Sequence, residues 1–253
     1  MKSVLFRIAK SLLQGFLDFL SATAKGLLAL RDRLIVAKLR LIIRRNKKRK
    51  PQNEQVLDIY WDDGFAEMGE HWGERTVWRE LQYLLTNCQG RVLDIACGSG
   101  RTIEFCRPFS PCEFYGCDIS DSLIRRAIEK RGLDPKRLTI CNAMKMPYED
   151  NFFDHAYSVG SLEHFTEEGI RDFLKECYRV TQGATFHHIP VSKSGKDEGW
   201  VVTDQGYIHN SIPWWVKKCE EVYPVVQVLG CSWENQISDG IWLVLKKTPR
   251  GDS

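Results

Sequence analysis

The chain has 253 residues, of which 43% are hydrophobic and 11% aromatic, and this composition excludes disorder over the whole length. The net charge of +3 hides a strong asymmetry, because residues 1–50 contain fourteen Lys and Arg against two acidic residues, whereas the remainder has twenty-two basic and thirty-one acidic residues. The larger part is therefore acidic, which argues against an enzyme that acts on nucleic acid.

The nine cysteines are scattered singly, with no C-x-x-C pair. This spacing predicts neither a disulfide framework nor a zinc site, and we expect no metal in the protein. Free cysteines in apolar runs behave as small hydrophobic residues, so a reducing, cytoplasmic compartment is the simplest interpretation.

Residues 1–50 are predicted to form a basic amphipathic helical arm that precedes a domain over residues 51–253, with Pro51 at the boundary. Polar residues recur at spacings of four and three between Val4 and Leu30, as on one face of a helix. A second apolar stretch, Leu34 to Ile43, leads into a run of basic residues. No window offers the roughly 20 uninterrupted apolar residues that a membrane span requires.

An amphipathic helix followed by a basic run is typical of a peripheral anchor on an anionic membrane surface. The alternative is a helix that packs on a partner subunit. Ala22-Thr23-Ala24 also resembles the cleavage site of a signal peptide, but Arg7, Lys10 and Asp18 interrupt the apolar region. We therefore expect a cytoplasmic protein that is peripherally associated with the inner membrane.

Downstream of the arm, short apolar runs alternate with helical patterns, which predicts βα units over a parallel sheet. Arg91–Ile95 is predicted as the first strand and residues 96–100 as the turn that leaves it. Gly98 and Gly100 allow a ligand to approach the backbone closely. The carboxylate of Asp94 is placed to hold the turn and to meet a cationic amino group.

The second predicted strand, Glu113–Asp118, ends in an acid about 20 residues beyond the turn, as doubly wound nucleotide sites require for ribose hydroxyls. Ile119 can lie against a flat base. The alternative role for Asp118 is to cap the helix predicted over residues 121–131, although Ser120 offers a cap of its own.

The turn lacks the G-x-G-x-x-G pattern of dehydrogenases and resembles the D-x-x-x-G-x-G turn of class I S-adenosylmethionine-dependent methyltransferases of the type 11-like family, with Ala96 at the first customary glycine. Residues 142–154 resemble that family's D-A-x-x-L-P-F-x-D-x-x-F-D segment, with Asn142 replacing the acid. Residues 156–165 resemble its fourth strand and L-E-H exit. The resemblance spans about residues 89–190.

The resemblance implies S-adenosylmethionine as the cofactor. It also implies a Rossmann-like α/β fold with a seven-stranded, mostly parallel sheet and an antiparallel last hairpin, formed here by Val225–Leu229 and Ile241–Lys246 after a helix over Pro213–Val222. The cofactor-binding residues that it implies are Asp94, Ala96, Cys97, Gly98, Gly100, Asp118, Ile119, Asn142, Ala143, Ser158 and Gly160.

Methyl transfer to a hydroxyl requires positioning of the acceptor and a base. His164 follows the fourth strand and is the first candidate for a base or a positioning group, and Glu163 is the second. Strand alternation over Ala184–Pro190 places only one of two neighbouring histidines on the active face. Further candidates are His71, His187, His188 and His209.

Aromatic residues cluster in the two regions that such enzymes use for acceptors, and their flat faces suit sugar rings or hydrophobic molecules. The first cluster is Tyr60, Trp61 and Trp72, and the second comprises Trp200 to Tyr207, Trp214, Trp215 and Trp233. Trp78 and Trp242 are predicted to belong to the core.

The C-terminal tryptophan pattern is similar to that of methyltransferases associated with bacterial surface-polysaccharide assembly. The leading hypothesis is therefore O-methylation of a sugar hydroxyl or a glycan terminus, with a glycan or lipid-linked glycan as the acceptor. A lipophilic acceptor such as a quinone is the first alternative, and a non-catalytic, cofactor-binding anchoring subunit is the second. The sequence predicts no nucleic-acid partner and leaves the oligomeric state open.

Overall fold

A computed structural model of the protein describes residues 2–47, 76–203 and 205–247. The predicted boundary at Pro51 and the residues Tyr60, Trp61, His71 and Trp72 lie outside the described residues. The helices are α1 (Lys2–Lys47), α2 (Val77–Leu85), α3 (Arg101–Cys106), α4 (Asp121–Arg131), α5 (Glu167–Val180) and α6 (Ile212–Glu220). Short 3₁₀ turns cover Arg107–Phe109, Pro135–Arg137 and Leu162–His164.

The strands are β1 (Arg91–Ile95), β2 (Glu113–Asp118), β3 (Leu138–Ile140), β4 (His155–Val159), β5 (Ala184–Ser192), β6 (Trp200–Val202), β7 (Gly206–Ile208), β8 (Val225–Glu234) and β9 (Ser238–Lys246). Seven of them form one sheet in the order β3-β2-β1-β4-β5-β9-β8, and β6 pairs with β7 in a separate hairpin. Strands β1 to β5 run parallel, whereas β9 is antiparallel to both β5 and β8. The predicted α/β fold with its antiparallel last hairpin is confirmed.

Local sequence signals account for the helix and strand boundaries around the central sheet. Strand β1 is buried on both faces because helices cover a parallel sheet on both sides. Helix α4 begins after Ser120, whose hydroxyl accepts a hydrogen bond from the Leu123 amide, and ends at Gly132 in the left-handed conformation. Trp78 and Trp242 are 2% and 1% exposed, so their assignment to the core is confirmed.

The last hairpin is longer than the sequence indicated. Strand β8 continues from Leu229 to Glu234, and β9 already begins at Ser238. The extension places the start of β9 beside the end of β5, with Ser192 opposite Ser238. This edge of the sheet also holds the carboxyl ends of β1 and β4.

Residues 2–47 form one continuous helix, α1, where the sequence suggested two stretches. Its C-terminal part contacts β6, and Asn46 donates hydrogen bonds from its side-chain nitrogen to the carbonyls of Val202 at 3.1 Å and Thr203 at 3.2 Å. Within the described residues, no helix combines the length and apolarity needed to cross a bilayer.

Candidate active site

A cavity of about 540 Å³ lies at the carboxyl ends of the parallel strands, next to the point where the strand order reverses between β1 and β4. Ligands of open α/β sheets bind at this topological switch point because the connections leave in opposite directions and open a crevice. The turn after β1 forms one wall, and hairpin β6–β7 and the start of β9 contribute to the opposite side.

The turn after β1 has a backbone that favours glycine. Ala96, Gly98 and Gly100 have φ values of +57°, +54° and +74°. A Cβ at Gly100 would lie 2.5 Å from Leu133 Cδ1, so only glycine fits there without rearrangement. Ala96 adopts the left-handed conformation at a position where the related pattern has glycine, which places strain in the backbone of this turn.

Asp94 at the end of β1 is 2% exposed and lines the cavity. Its Oδ2 atom accepts hydrogen bonds from the hydroxyl of Tyr157, at 3.0 Å, and from the hydroxyl of Thr102. Burial raises the pKa of Asp94 to about 7, and the two hydrogen bonds oppose that rise. A cationic amino group beside this carboxylate would stabilise the charged form, as the sequence predicts for the amino-acid end of the cofactor.

Asp118 at the end of β2 connects the turn to the neighbouring strand. Its Oδ2 atom accepts a hydrogen bond from the Gly98 amide at 2.8 Å, and its Oδ1 atom accepts one from the Ser120 amide at 2.9 Å. The Ile119 amide also interacts with this carboxylate. A carboxylate can accept about four hydrogen bonds, so capacity for a ribose hydroxyl remains. Ser120 provides the N-cap of α4, so Asp118 is not needed as a cap and is available to bind ribose hydroxyls, as the sequence suggested.

Asn142 and Ala143 lie in the cavity wall after β3. The side-chain oxygen of Asn142 accepts a hydrogen bond from the Met144 amide at 2.9 Å, which closes a tight turn. This bond uses one of the two lone pairs of the oxygen, so the second lone pair and the amide nitrogen of Asn142 remain available to a ligand.

These residues fit S-adenosylmethionine. Two buried carboxylates stand at the ends of adjacent strands, Asp94 for a cation and Asp118 for vicinal hydroxyls. A Cβ built on Gly98 meets no atom within 4 Å, so the backbone there borders open space that a ligand can enter. Ile119, Cys97 and Gly160, all predicted to bind the cofactor, line the same cavity.

Glu163 and His164 occupy the 3₁₀ turn that leaves β4, and both line the cavity. Glu163 is 4% exposed, and no described residue hydrogen-bonds to its buried Oε2 atom. Burial raises the pKa of Glu163 to about 8, so the carboxyl group is largely protonated at neutral pH.

His164 has a defined tautomer. Its Nδ1 lies 2.9 Å from the Gly206 carbonyl, which can only accept, so Nδ1 carries the proton and Nε2 the lone pair. Burial lowers the pKa of His164, opposed by the bond to Gly206, and the ring is therefore neutral at pH 7. The Nε2 atom lies 3.8 Å from Glu163 Oε1, so the sequence-predicted pair comes together at the cavity.

Three other candidates are directed into the sheet. The Ser158 hydroxyl lies 2.9 Å from His187 Nδ1, and both residues are fully buried between β4 and β5. His188 is fully buried against Trp233 and Trp242. The cavity wall contains none of Ser158, His187 and His188. Burial lowers the pKa values of His187 and His188 to about 3 and about 4, so both rings are neutral core groups.

Only some of the aromatic residues that the sequence assigns to an acceptor lie at the cavity. Tyr207 and Trp233 line it, as expected for the aromatic clusters, whereas Trp215 is fully buried in the core. His209 is buried beside Glu198, with 3.2 Å between Nδ1 and Oε2, and is outside the wall. Thr203 and Gln205 fall within the predicted stretch Trp200 to Tyr207 but were not singled out, and the polar lining residues Thr102, Asn235 and Ser238 were not identified from the sequence. Their signals are weak because hydroxyl and amide residues are common in loops.

The chain is similar to known methyltransferases in sequence and in fold. Residues 92–183 match the sequence model of the family described as "Methyltransferase domain". The chain is 30% identical to a sterol 24-C-methyltransferase of Schizosaccharomyces pombe over 54% of this chain and 39% of that protein. It is 33% identical to a demethylmenaquinone methyltransferase of Geobacillus kaustophilus over 42% of this chain and 47% of that protein. The chain thus spans less than half the length of these curated relatives.

A solved structure of geranyl diphosphate C-methyltransferase from Streptomyces coelicolor, in complex with Mg²⁺, geranyl diphosphate and S-adenosyl-L-homocysteine, superimposes with a TM-score of 0.56. The two chains are 11% identical, and the superposition covers 78% of this chain and 91% of the other. This likeness concerns the fold alone.

The family match over residues 92–183 and the order of the strands identify this part of the chain as a class I S-adenosylmethionine-dependent methyltransferase domain. The predicted class and cofactor are thereby confirmed. The further likeness to methyltransferases of surface-polysaccharide assembly stays a prediction.

Proposed function

We propose that the protein transfers a methyl group to a hydroxyl of an acceptor bound beside Glu163 and His164. The observation that carries the proposal is the Glu163 carboxyl in the cavity wall, which is buried and has an Oε2 atom without a partner among the described residues. A buried polar atom without a hydrogen bond is costly, so a ligand that supplies the missing partner is favoured.

S-adenosylmethionine supplies an electrophilic methyl group when it is bound. In the proposed reaction, the protonated Glu163 carboxyl donates a hydrogen bond to the acceptor and orients it. His164 Nε2 would accept the proton of the acceptor hydroxyl during methyl transfer, in which the sulfur–methyl bond of the cofactor breaks as the oxygen–methyl bond forms. The Gly206 carbonyl holds Nδ1–H, which keeps the lone pair of Nε2 available.

The leading candidate for the acceptor is a sugar hydroxyl or a glycan terminus in surface-polysaccharide biosynthesis. Tyr207 and Trp233 bring aromatic faces to the cavity, and Thr203, Gln205 and Asn235 add hydroxyl and amide groups. Flat faces next to amide groups suit a ring that carries several hydroxyls.

A lipophilic small molecule is the second candidate. It is favoured by the relatives whose names specify sterol and demethylmenaquinone methylation. Phe165 and Pro190, which also line the cavity, could pack against such a molecule.

We also propose that the protein works at the cytoplasmic surface of an anionic membrane. Helix α1 supports this location because it combines exposed Leu and Phe side chains with an excess of Lys and Arg. Either acceptor class can be lipid-linked, so a peripheral location would bring the cavity to its substrate.

The experiment incubates the protein with methyl-labelled S-adenosylmethionine and fractionated membranes and then locates the label. Label in saccharide supports the leading candidate, whereas label in small extractable lipids supports the second. No transfer despite measurable cofactor binding would contradict the proposal and favour a non-catalytic, anchoring subunit. His164→Gln and Glu163→Leu should lower transfer, because leucine cannot donate a hydrogen bond to the acceptor, and His155→Gln is the matched control, because His155 lies outside the cavity wall.

A further inference from the structure

Helix α1 carries a stripe of exposed apolar side chains along one face. The apolar stripe consists of Leu12, Phe16, Phe19, Leu27, Leu30, Leu34 and Leu41, each between 53% and 71% exposed. Their spacings of 3, 4, 7 and 8 residues keep them on one side of an α-helix. Leu13, Leu17, Leu20 and Leu28, between 46% and 59% exposed, broaden the apolar surface on one side of the stripe. At a rise of 1.5 Å per residue the stripe is roughly 43 Å long.

The opposite face of α1 is turned toward the folded domain. Partly buried residues recur there at Ile35, Leu39, Ile42 and Asn46, roughly 130° around the helix from the middle of the stripe. Asn46 donates to the Val202 and Thr203 carbonyls, and α1 contacts β6. The domain therefore contacts one side of the helix near its C-terminal end, and the apolar stripe faces away from the domain.

The charge of α1 indicates what covers the stripe. Residues 2–47 contain eleven Lys and Arg but only Asp18 and Asp32 as acids. The exposed residues Arg31, Lys38 and Arg45 recur every seven positions along one edge of the stripe, where their stems can lie on an apolar surface while their charges reach phosphates. Pairing with a second α1 would bring two such charges together, whereas an anionic leaflet neutralises them.

Hairpin β6–β7 links this helix to the cavity. Thr203, whose carbonyl accepts from Asn46, lines the cavity together with Gln205 and Tyr207. The Gly206 carbonyl of the same hairpin holds His164 Nδ1. Asn46 therefore contacts a residue of the cavity wall directly, and the hairpin that it contacts also holds the candidate base His164.

We propose that α1 docks its apolar stripe on an anionic bilayer and that Asn46 transmits docking to hairpin β6–β7. An α-helix with its side chains is about 10–12 Å thick, so the hairpin lies roughly one helix diameter from the lipid surface. The acceptor side of the cavity then faces a substrate held in the membrane. This inference rests on the proposed function for the identity of the cavity as the acceptor site.

The first test is flotation of the full chain with vesicles of phosphatidylcholine and phosphatidylglycerol, compared with phosphatidylcholine alone. The wild type should float with the anionic vesicles only. The Phe16→Asp/Leu34→Asp variant should bind them more weakly by roughly a hundredfold, because two large apolar side chains leave the interface. The control Gln14→Asp/Ser21→Asp adds the same charges on the polar face and should bind better than the stripe variant.

The second test is hydrogen exchange of the hairpin peptide over residues 200–208, which requires no knowledge of the acceptor. Vesicle binding should slow exchange there in the wild type. Asn46→Ala and the isosteric Asn46→Asp, which cannot donate to two carbonyls, should float like the wild type but lose this change in the hairpin.

Equal flotation of the stripe and polar-face variants would overturn docking through the stripe. A hairpin response that survives in both Asn46 variants would overturn the coupling. Cofactor binding, measured by calorimetry without vesicles, should be unchanged in every variant. Its failure in the wild type would instead contradict the proposed function, so the two failures are distinguishable.

Discussion

The hydroxyl of Tyr157 on β4 donates a 3.0 Å hydrogen bond to the Asp94 carboxylate on β1, across the point where the strand order reverses. The bond stabilises the charged form of an acid that burial holds at a pKa of about 7. We therefore expect cofactor affinity to depend on a tyrosine that is itself outside the cavity wall.

Tyr157→Phe should weaken binding of S-adenosylmethionine at pH 7 by roughly three- to tenfold. Without the donor, the pKa of Asp94 rises further, so a larger fraction of the acid is neutral and cannot pair with the amino group of the cofactor. Raising the pH should narrow the difference in affinity between the variant and the wild type, because deprotonation of the cofactor's amino group weakens both equally. Calorimetric titrations between pH 6.5 and 9 measure this, and Tyr178→Phe is the control. Identical pH profiles for Tyr157→Phe and the wild type would contradict the role of the bond.

Ala96→Gly tests the backbone strain in the cofactor turn. Ala96 has a φ of +57°, and glycine removes the strain of that left-handed conformation. This gain should offset the added flexibility of the unfolded chain, so the free energy of unfolding should stay unchanged or rise by up to about 1 kcal/mol. Ala127→Gly, inside helix α4, should lower it by about 1 kcal/mol. Urea denaturation compares the two. If Ala96→Gly lowered the free energy of unfolding as much as Ala127→Gly does, the backbone at position 96 would be unstrained.

Glu163→Gln should change the pH dependence of stability. The pKa of Glu163 is about 8 in the folded chain against an ordinary value of 4.5, so the native state keeps a proton that the unfolded state releases. Between these values, stability of the wild type falls as pH rises. The variant has no such proton, so its stability relative to the wild type should increase from pH 5 to pH 8.

Urea unfolding at several pH values measures this difference, and Glu168→Gln on the exposed start of α5 is the control. Asp94 also has a raised pKa and contributes the same trend to every variant, so the comparison with the wild type isolates Glu163. If the difference in unfolding free energy between Glu163→Gln and the wild type did not change with pH, the Glu163 carboxyl would be ionised in the folded protein, contrary to the prediction.

The cofactor half of the site was predictable because its signals are local. The bounds of β1 and β2 and the helix after Ser120 agree with the sequence prediction, since strand, glycine turn and cap follow one another within a few residues. The paired acids Asp94 and Asp118 stand at the ends of these strands. Their position follows directly from the strand assignment.

The acceptor half depends on contacts between distant segments. The hairpin carbonyl that fixes His164 belongs to Gly206, which is 42 residues away. The extension of β9 to Ser238 follows from its pairing with β5. The sequence pattern around Ser158 could not reveal that its hydroxyl turns to His187 on the neighbouring strand. Such pairings arise from tertiary packing, which overrides local propensity.

Binding of S-adenosylmethionine to wild type, Asp118→Ala and Asp121→Ala, measured by isothermal titration calorimetry, tests the central claim most directly. Asp118 accepts from the cofactor turn and lines the cavity, whereas Asp121 is an exposed residue of α4 paired with Arg125. We predict one binding site in the wild type and the same affinity in Asp121→Ala. In Asp118→Ala the affinity should fall tenfold or more, roughly the contribution of one or two charge-assisted hydrogen bonds. No binding to the wild type, or equal affinity in all three proteins, would contradict the account.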